Sequence, residues 1–145
     1  MSEIVVRHVQ GVTFIGRGKT NHWLAMDGPE TFGGSEAATR PMELFLISLA
    51  GCSGADVASI LNKMKVKFDK FEVYIDSERA SEHPKVYTKI DLKYKFWGRN
   101  LETQKDKIEK AINLSQDVYC SISKMVRDAG ITLNHTYEFV ESQPV

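Results

Sequence analysis

The chain has 145 residues, of which 42% are hydrophobic and 26% charged, with nineteen basic and nineteen acidic side chains. This length predicts a single domain, over residues 1–145, with a core that needs no disulfide or metal framework. The composition excludes a disordered tail, a collagen-like chain and a cysteine-stapled mini-protein. Because the net charge is zero, the basic surplus typical of nucleic-acid and anionic-membrane binders is missing, and we expect neither partner.

The N-terminal segment predicts a cytoplasmic protein. Residues 1–8 carry no basic region, apolar stretch or cleavage site of a signal peptide. The most apolar segment, residues 44–52, is far shorter than the roughly 20 residues of a membrane-spanning helix. In the cytoplasm the two cysteines are expected to be mainly reduced, which disfavours a structural disulfide.

The first part of the chain has the pattern of short strands. Residues 4–9 and 12–15 are rich in β-formers, with a hairpin turn predicted at Gln10-Gly11, and residues 22–26 resume the pattern. Residues 31–39, which contain Gly33-Gly34, are predicted to be a loop.

A long helix is predicted next, from Pro41 to about Lys65. Proline suits the first turn of a helix, where its missing N–H is not needed. Because the segment is mostly apolar, we expect this helix to be buried on most sides.

The second half of the chain alternates strands and helix. Residues 71–75 and 86–96 alternate apolar and polar side chains around a turn at 81–84, residues 102–126 repeat apolar side chains at helical spacing, and residues 133–140 predict a final strand. The order βββ-α-ββ-α-β with short connections predicts the α+β class with antiparallel sheets.

Cys52 lies on a distinctive face of the predicted central helix. At 100° per residue it shares the polar face of that helix with Phe45, Ser48, Asp56, Ser59 and Lys63. Two interpretations remain open: a small buried apolar residue, which is the commonest role of a free cysteine, or a functional thiol. The pattern leaves open whether Asp56 or Lys63 tunes this thiol.

Cys120 is placed unexpectedly for a residue of the second helix. Counted from Ile108, it points about 150° away from the apolar face, so a continuous helix would expose it. Either the helix breaks near residues 119–121, or a partner surface or second cysteine covers the thiol, or Cys120 is an incidental surface cysteine.

No metal site is expected from the spacing of potential ligands. The four histidines, His8, His22, His83 and His135, are scattered, and no C-x-x-C, H-x-x-x-H or D-x-D pattern is present.

Two segments together resemble a known family. Residues 40–57, RPMELFLISLAGCSGADV, and residues 118–126, VYCSISKMV, are similar to the two cysteine motifs of the osmotically inducible protein C / organic hydroperoxide resistance (OsmC/Ohr) family. The two cysteines stand 68 residues apart in the expected order, and Gly16-Arg17 matches the family's G-R loop. The form Pro41-Met42-Glu43 looks more like the OsmC-like branch.

The resemblance implies an intertwined homodimer with long central helices and a role in the oxidative stress response. It implies a peroxiredoxin-like oxidoreductase for organic hydroperoxides or other small apolar molecules, with no bound cofactor and an external dithiol reductant. Cys52 would be the peroxidatic cysteine, Cys120 the resolving cysteine and Arg17 the activator of the thiolate. Three apolar side chains would line the substrate pocket: Met42, Phe45 and Leu49.

One position departs from the family pattern. Hydroperoxide reductases of this family carry a glutamate ten residues before the first cysteine, where this chain has Met42, and the neighbouring Glu43 points about 180° away from Cys52 on a helix. The resemblance therefore leaves two functions open: a thiol peroxidase, or a non-enzymatic OsmC-like dimer that senses redox state or binds a small ligand.

Overall fold

A computed structural model describes residues 3–143 of the chain. Its order of elements is βββ-α-ββ-α-β with the second helix divided in two, which confirms the predicted α+β class and order. The elements are β1 (Val5–Gln10), β2 (Thr13–Arg17), β3 (Trp23–Met26), α1 (Pro41–Lys63), β4 (Lys70–Arg79), β5 (Tyr87–Gly98), α2 (Lys105–Leu114), α3 (Ser121–Asp128) and β6 (Thr132–Glu141).

The first compact unit, residues 1–47, contains an antiparallel sheet in the order β1-β2-β3. The predicted turn at Gln10-Gly11 joins β1 to β2, and Gly11 has a φ of +50°. A Cβ at this position would lie 2.5 Å from the carbonyl oxygen of Gly33. Glycine is therefore required here both for its backbone conformation and for the close approach of the loop.

The second compact unit, residues 48–145, is built on a sheet in the order β4-β5-β6. The predicted alternation along the central strand β5 holds from Ile90 to Phe96, with every second side chain buried. It fails at the strand's start, where Tyr87 is buried while Val86 and Thr88 are exposed. An irregularity in the β4–β5 register between Glu78 and Arg79 explains this, because one extra residue reverses which face a side chain takes.

The antiparallel prediction is wrong for one strand pair. β4 and β5 are antiparallel, but β5 and β6 pair in parallel, from Lys89 opposite Thr132 to Gly98 opposite Glu141. The physical reason is the connection between these two strands, which contains α2 and α3. A crossover of this length can return the chain to the same end of the sheet, as parallel pairing requires.

Helix α1 buries a single stripe, so the prediction that it is buried on most sides is wrong for the described chain. Its buried residues recur every fourth position: Leu49, Ser53, Val57 and Leu61. Phe45 and Ile47 on other faces are 40% and 55% exposed. The helix also ends at Lys63, two residues before the predicted end, since Lys65 has a φ of +59°.

By length and composition α1 could cross a membrane, because its 23 residues reach a mean hydropathy of 1.8. Here it instead contributes to a core in which Leu49, Val57 and Leu61 are fully buried. Burying each such side chain contributes about 1.5–3 kcal/mol to folding. The apolar character of α1 is therefore that of a core helix.

Candidate functional site

The predicted single helix over residues 102–126 is interrupted next to the second cysteine. After α2, residues Ser115–Tyr119 form one turn of π-helix, in which the N–H of Cys120 donates to the carbonyl oxygen of Ser115 at 2.8 Å. One extra residue in a turn rotates all later side chains by about 100° relative to a regular α-helix. Cys120 is therefore turned away from the exposed direction that a continuous helix predicts.

Cys120 is buried, with 3% of its surface exposed. Its backbone is extended (φ −74°, ψ 102°), and its Sγ accepts a 3.4 Å hydrogen bond from the N–H of Ser123 at the start of α3. This is the N-cap role that an oxygen side chain usually plays. Of the alternatives left open by the sequence, the break in the helix is confirmed.

The break brings Cys120 to the polar face of α1. The Sγ atoms of Cys52 and Cys120 and a carboxylate oxygen of Asp56 all lie within 4.8 Å of one another. Cys52 and Asp56 are one helical turn apart and half-buried, and both cysteines are free thiols. The structure thus joins the two cysteines singled out in the sequence and adds Asp56 to them.

The surroundings of Cys52 raise the pKa of its thiol. Burial is the largest cause, followed by a hydrogen bond with the Cys120 side chain and the negative charges of Cys120 and Asp56. The backbone N–H of Ile122, in the first turn of α3, acts in the opposite direction and stabilises the thiolate. Within this unit, the side chains of Cys120 and Asp56 both disfavour the ionised form of Cys52.

A buried hydrogen-bond network lies next to the thiols. The hydroxyl of Ser53 lies 2.5 Å from the Tyr94 Oη and 2.8 Å from the Ser115 Oγ. The Gln116 Nε2 donates to both Ser53 and Tyr94, at 3.1 and 2.7 Å. These four side chains are buried, and they join α1, β5 and the π turn through polar contacts.

Charged groups end this network on both sides. The Ser115 Oγ donates to the Asp56 Oδ2 at 3.1 Å, and the Arg127 Nη2 donates to the Gln116 Oε1 at 2.8 Å. Arg127 also donates to the backbone oxygen of Gln116. The carboxylate beside the thiols is therefore held in place by the same network that connects α3 to the π turn.

Asp56 also lines a surface groove of about 460 Å³, together with Lys63, Tyr119 and other residues of α1 and α2. Lys63 and Asp56 form no ion pair in the part of the chain that the structure describes. The carboxylate is therefore accessible from this side and is not neutralised by Lys63.

Arg17 lies on β2 in the first unit, half-buried. Its guanidinium stands over the Trp23 ring at 5.6 Å from the centroid, and Arg7 stands over the same ring at 5.0 Å. The Arg17 Nη1 donates to the carbonyl oxygen of Gly18 at 3.3 Å. Among residues 3–143 it has no carboxylate partner within ion-pair distance, so an aromatic ring holds it instead.

The three predicted pocket residues differ in burial. Leu49 is fully buried, Phe45 is 40% exposed and Met42 is half-buried. Glu43, the neighbour of Met42, accepts a 3.0 Å hydrogen bond from the N–H of Arg40. Glu43 therefore caps the start of α1. It is the only glutamate adjacent to Met42, the position at which the hydroperoxide reductases carry theirs.

No residue of the buried network was predicted from the sequence to be part of the site. These residues are Ser53, Tyr94, Ser115 and Gln116. The single available signal was polar residues at buried helical and strand positions, since Ser53 lies on the same stripe as Leu49 and Val57. The pairing of these side chains depends on tertiary contacts between distant segments, which no spacing pattern encodes.

Comparisons with known proteins identify the family of this chain. Residues 33–136 match the family described as OsmC-like protein. The chain is also 36% identical to Protein YhfA of Escherichia coli over 135 residues, which covers 93% of this chain and 96% of that protein. The chain belongs to the OsmC-like protein family.

Solved structures share the fold of this OsmC-like protein. A hypothetical protein from Aquifex aeolicus superposes with a TM-score of 0.82 at 26% identity, over 99% of this chain and 98% of that one. An organic hydroperoxide resistance protein OsmC from Legionella pneumophila superposes with a TM-score of 0.64 at 16% identity, over 95% and 98%. In this OsmC-like protein the apolar helix α1 is the core helix.

Proposed function

We propose that this OsmC-like protein is a cytoplasmic peroxidase that reduces organic hydroperoxides through Cys52 and Cys120. The observation that carries the proposal is the approach of the two sulfur atoms to within 4.8 Å, from segments 68 residues apart in the sequence. The fold shared with an organic hydroperoxide resistance protein supports it.

The proposed reaction has three steps. The Cys52 thiolate attacks the O–O bond of the peroxide, so that the sulfur becomes a sulfenic acid and the peroxide, with one added proton, leaves as an alcohol. The Cys120 thiol then displaces water from the sulfenic acid and forms the Cys52–Cys120 disulfide. An external dithiol reduces this disulfide by exchange and is itself oxidised, so no bound cofactor is needed.

The first step requires a thiolate, whereas burial and acidic neighbours raise the pKa of Cys52. The N–H of Ile122 stabilises the thiolate in part, and a cation is needed in addition. Arg17 is the proposed source, as the family resemblance implies. Its lack of a carboxylate partner among the described residues leaves its charge available for this role.

The proposed working unit is a homodimer. Helix α1 buries one stripe and leaves Phe45 and Ile47 exposed, and exposed apolar side chains on a central helix are typical of a subunit interface. Met42, Phe45 and Leu49 are proposed to line an apolar substrate pocket, which would favour organic peroxides over hydrogen peroxide.

A steady-state assay tests the proposal. Reduced protein is mixed with cumene hydroperoxide and excess dihydrolipoamide, and peroxide loss is followed over many equivalents. We expect sustained turnover that falls to the background rate in Cys52→Ser. Equal rates for wild type and Cys52→Ser would contradict a peroxidase.

The raised pKa of Cys52 favours a second candidate function, a redox sensor without turnover. A sensor would consume one equivalent of peroxide, form the Cys52–Cys120 disulfide and stop even with dithiol present. The same assay separates the two functions, because only a peroxidase continues beyond the first equivalent.

A further inference from the structure

The three side chains at the site also have the chemistry of a metal-ligand set. Two thiols and one carboxylate oxygen lie within 4.8 Å of one another. Asp56 follows Cys52 by four residues on α1, while Cys120 comes from the break before α3. Three potential ligands from two separate segments of the chain therefore converge on one point.

We propose that reduced Cys52, Cys120 and Asp56 bind one thiophilic divalent cation of the zinc type. Such cations accept thiolate and carboxylate ligands, and three protein ligands with water in the fourth position are a common tetrahedral arrangement. With Zn–S bonds of about 2.3 Å, two sulfur ligands lie about 3.8 Å apart. Binding both sulfur atoms to one ion thus requires them to approach each other by about 1 Å or less.

The neighbours of the cluster orient its ligands. The Ser115 Oγ donates to the Asp56 Oδ2 at 3.1 Å, and the N–H of Ser123 donates to the Cys120 Sγ at 3.4 Å. Hydrogen bonds of this kind fix ligand orientation in metal sites. The groove of about 460 Å³ that Asp56 lines gives an ion a route to the carboxylate.

Metal binding has a consequence for the thiols. A thiolate that shares its electron pair with the cation is not free to attack a peroxide or an alkylating agent. The bound ion would therefore inhibit the peroxidase reversibly, and this consequence rests on the proposed function. Metal binding itself does not, since it requires only the reduced thiols and the carboxylate.

The direct test measures binding without any peroxide. Full-length protein is reduced with a phosphine, freed of metal, and titrated with Co²⁺ to detect sulfur-to-metal charge-transfer absorption. Zn²⁺ affinity is then measured by competition with a chromogenic chelator. The variants are Cys52→Ser, Cys120→Ser and Asp56→Asn, with Asp69→Asn as the matched control, because Asp69 is an exposed carboxylate elsewhere in the same unit.

We expect one ion per chain, a thiolate–Co²⁺ band, and affinity at least about tenfold weaker in each of the three ligand variants, with Asp69→Asn unchanged. Disulfide-oxidised wild type, checked by circular dichroism to be folded, should lose the band. An absent band in reduced wild type, or undiminished affinity in any ligand variant, would overturn the proposal. Neither result depends on whether the protein turns over peroxide.

Discussion

The sulfur of Cys120 accepts a 3.4 Å hydrogen bond from the N–H of Ser123. The thiol that faces Cys52 therefore also caps helix α3, and one side chain has both a chemical and a structural role. Substitutions at Cys120 separate these roles, because serine keeps a capping acceptor and alanine does not.

Cys120→Ser and Cys120→Ala should both prevent the intramolecular disulfide and leave Cys52 as a sulfenic acid after peroxide treatment, which dimedone labelling detects. Cys120→Ala should in addition lower the free energy of unfolding by about 1 kcal/mol relative to Cys120→Ser, since the cap is lost. Urea denaturation measures this difference. Equal stability of the two variants would remove the capping role.

The reactivity of Cys52 should follow its raised pKa. Because burial and the charge of Asp56 still disfavour the thiolate when Cys120 is replaced, the alkylation of Cys52 by iodoacetamide in Cys120→Ser should have its midpoint above the usual thiol pKa of about 8.5. Adding Asp56→Asn removes one negative charge and should lower that midpoint.

At neutral pH, adding Asp56→Asn to Cys120→Ser should thus speed the alkylation by less than about tenfold, the change that a full pKa unit gives. The measurements are made with a chelator present, so that metal does not protect the thiol. Slower alkylation in Asp56→Asn would show that the carboxylate promotes ionisation instead.

Arg17→Ala tests the proposed activation of the thiolate. Loss of the cation should raise the pKa of Cys52 and reduce both alkylation and kcat/KM for cumene hydroperoxide, by about tenfold for each pKa unit. Arg7→Ala is the matched control, since Arg7 stands over the same Trp23 ring and has no proposed role. If the two variants react at the same rate, Arg17 is not the activator.

The buried network should contribute measurably to stability. Ser53→Ala removes a hydroxyl that contacts Tyr94, Ser115 and Gln116, and leaving buried polar partners unsatisfied costs about 1–3 kcal/mol. Ser59→Ala, at an exposed position of the same helix, should change the free energy of unfolding by no more than about 0.5 kcal/mol. Similar values for both variants would contradict the network's structural role.

The periodicity of the sequence predicts the helices and strands that carry the site residues. It does not predict the contacts that bring Cys120 to Cys52. The order of elements and the position of Cys52 beside Asp56 on α1 follow from local patterns. The burial of Cys120 does not, because the one-residue excess of the π turn is invisible to a count of 100° per residue.

The contacts of Asp56 with Ser115 and Cys120 and the parallel pairing of β5 with β6 are tertiary. They depend on where the crossover between the two strands returns the chain. For the same reason, residue spacing in the sequence does not reveal Cys52, Asp56 and Cys120 as one set of possible metal ligands.

The pairing of Cys52 with Cys120 is the central claim, and one measurement tests it most directly. Fully reduced, metal-free protein is treated with one equivalent of cumene hydroperoxide, and the thiols lost, the peroxide consumed and the linked peptides are determined by mass spectrometry. We predict two thiols lost for each peroxide consumed and a disulfide joining Cys52 to Cys120. Two thiols still free after the treatment, or a disulfide that joins other partners, would contradict it.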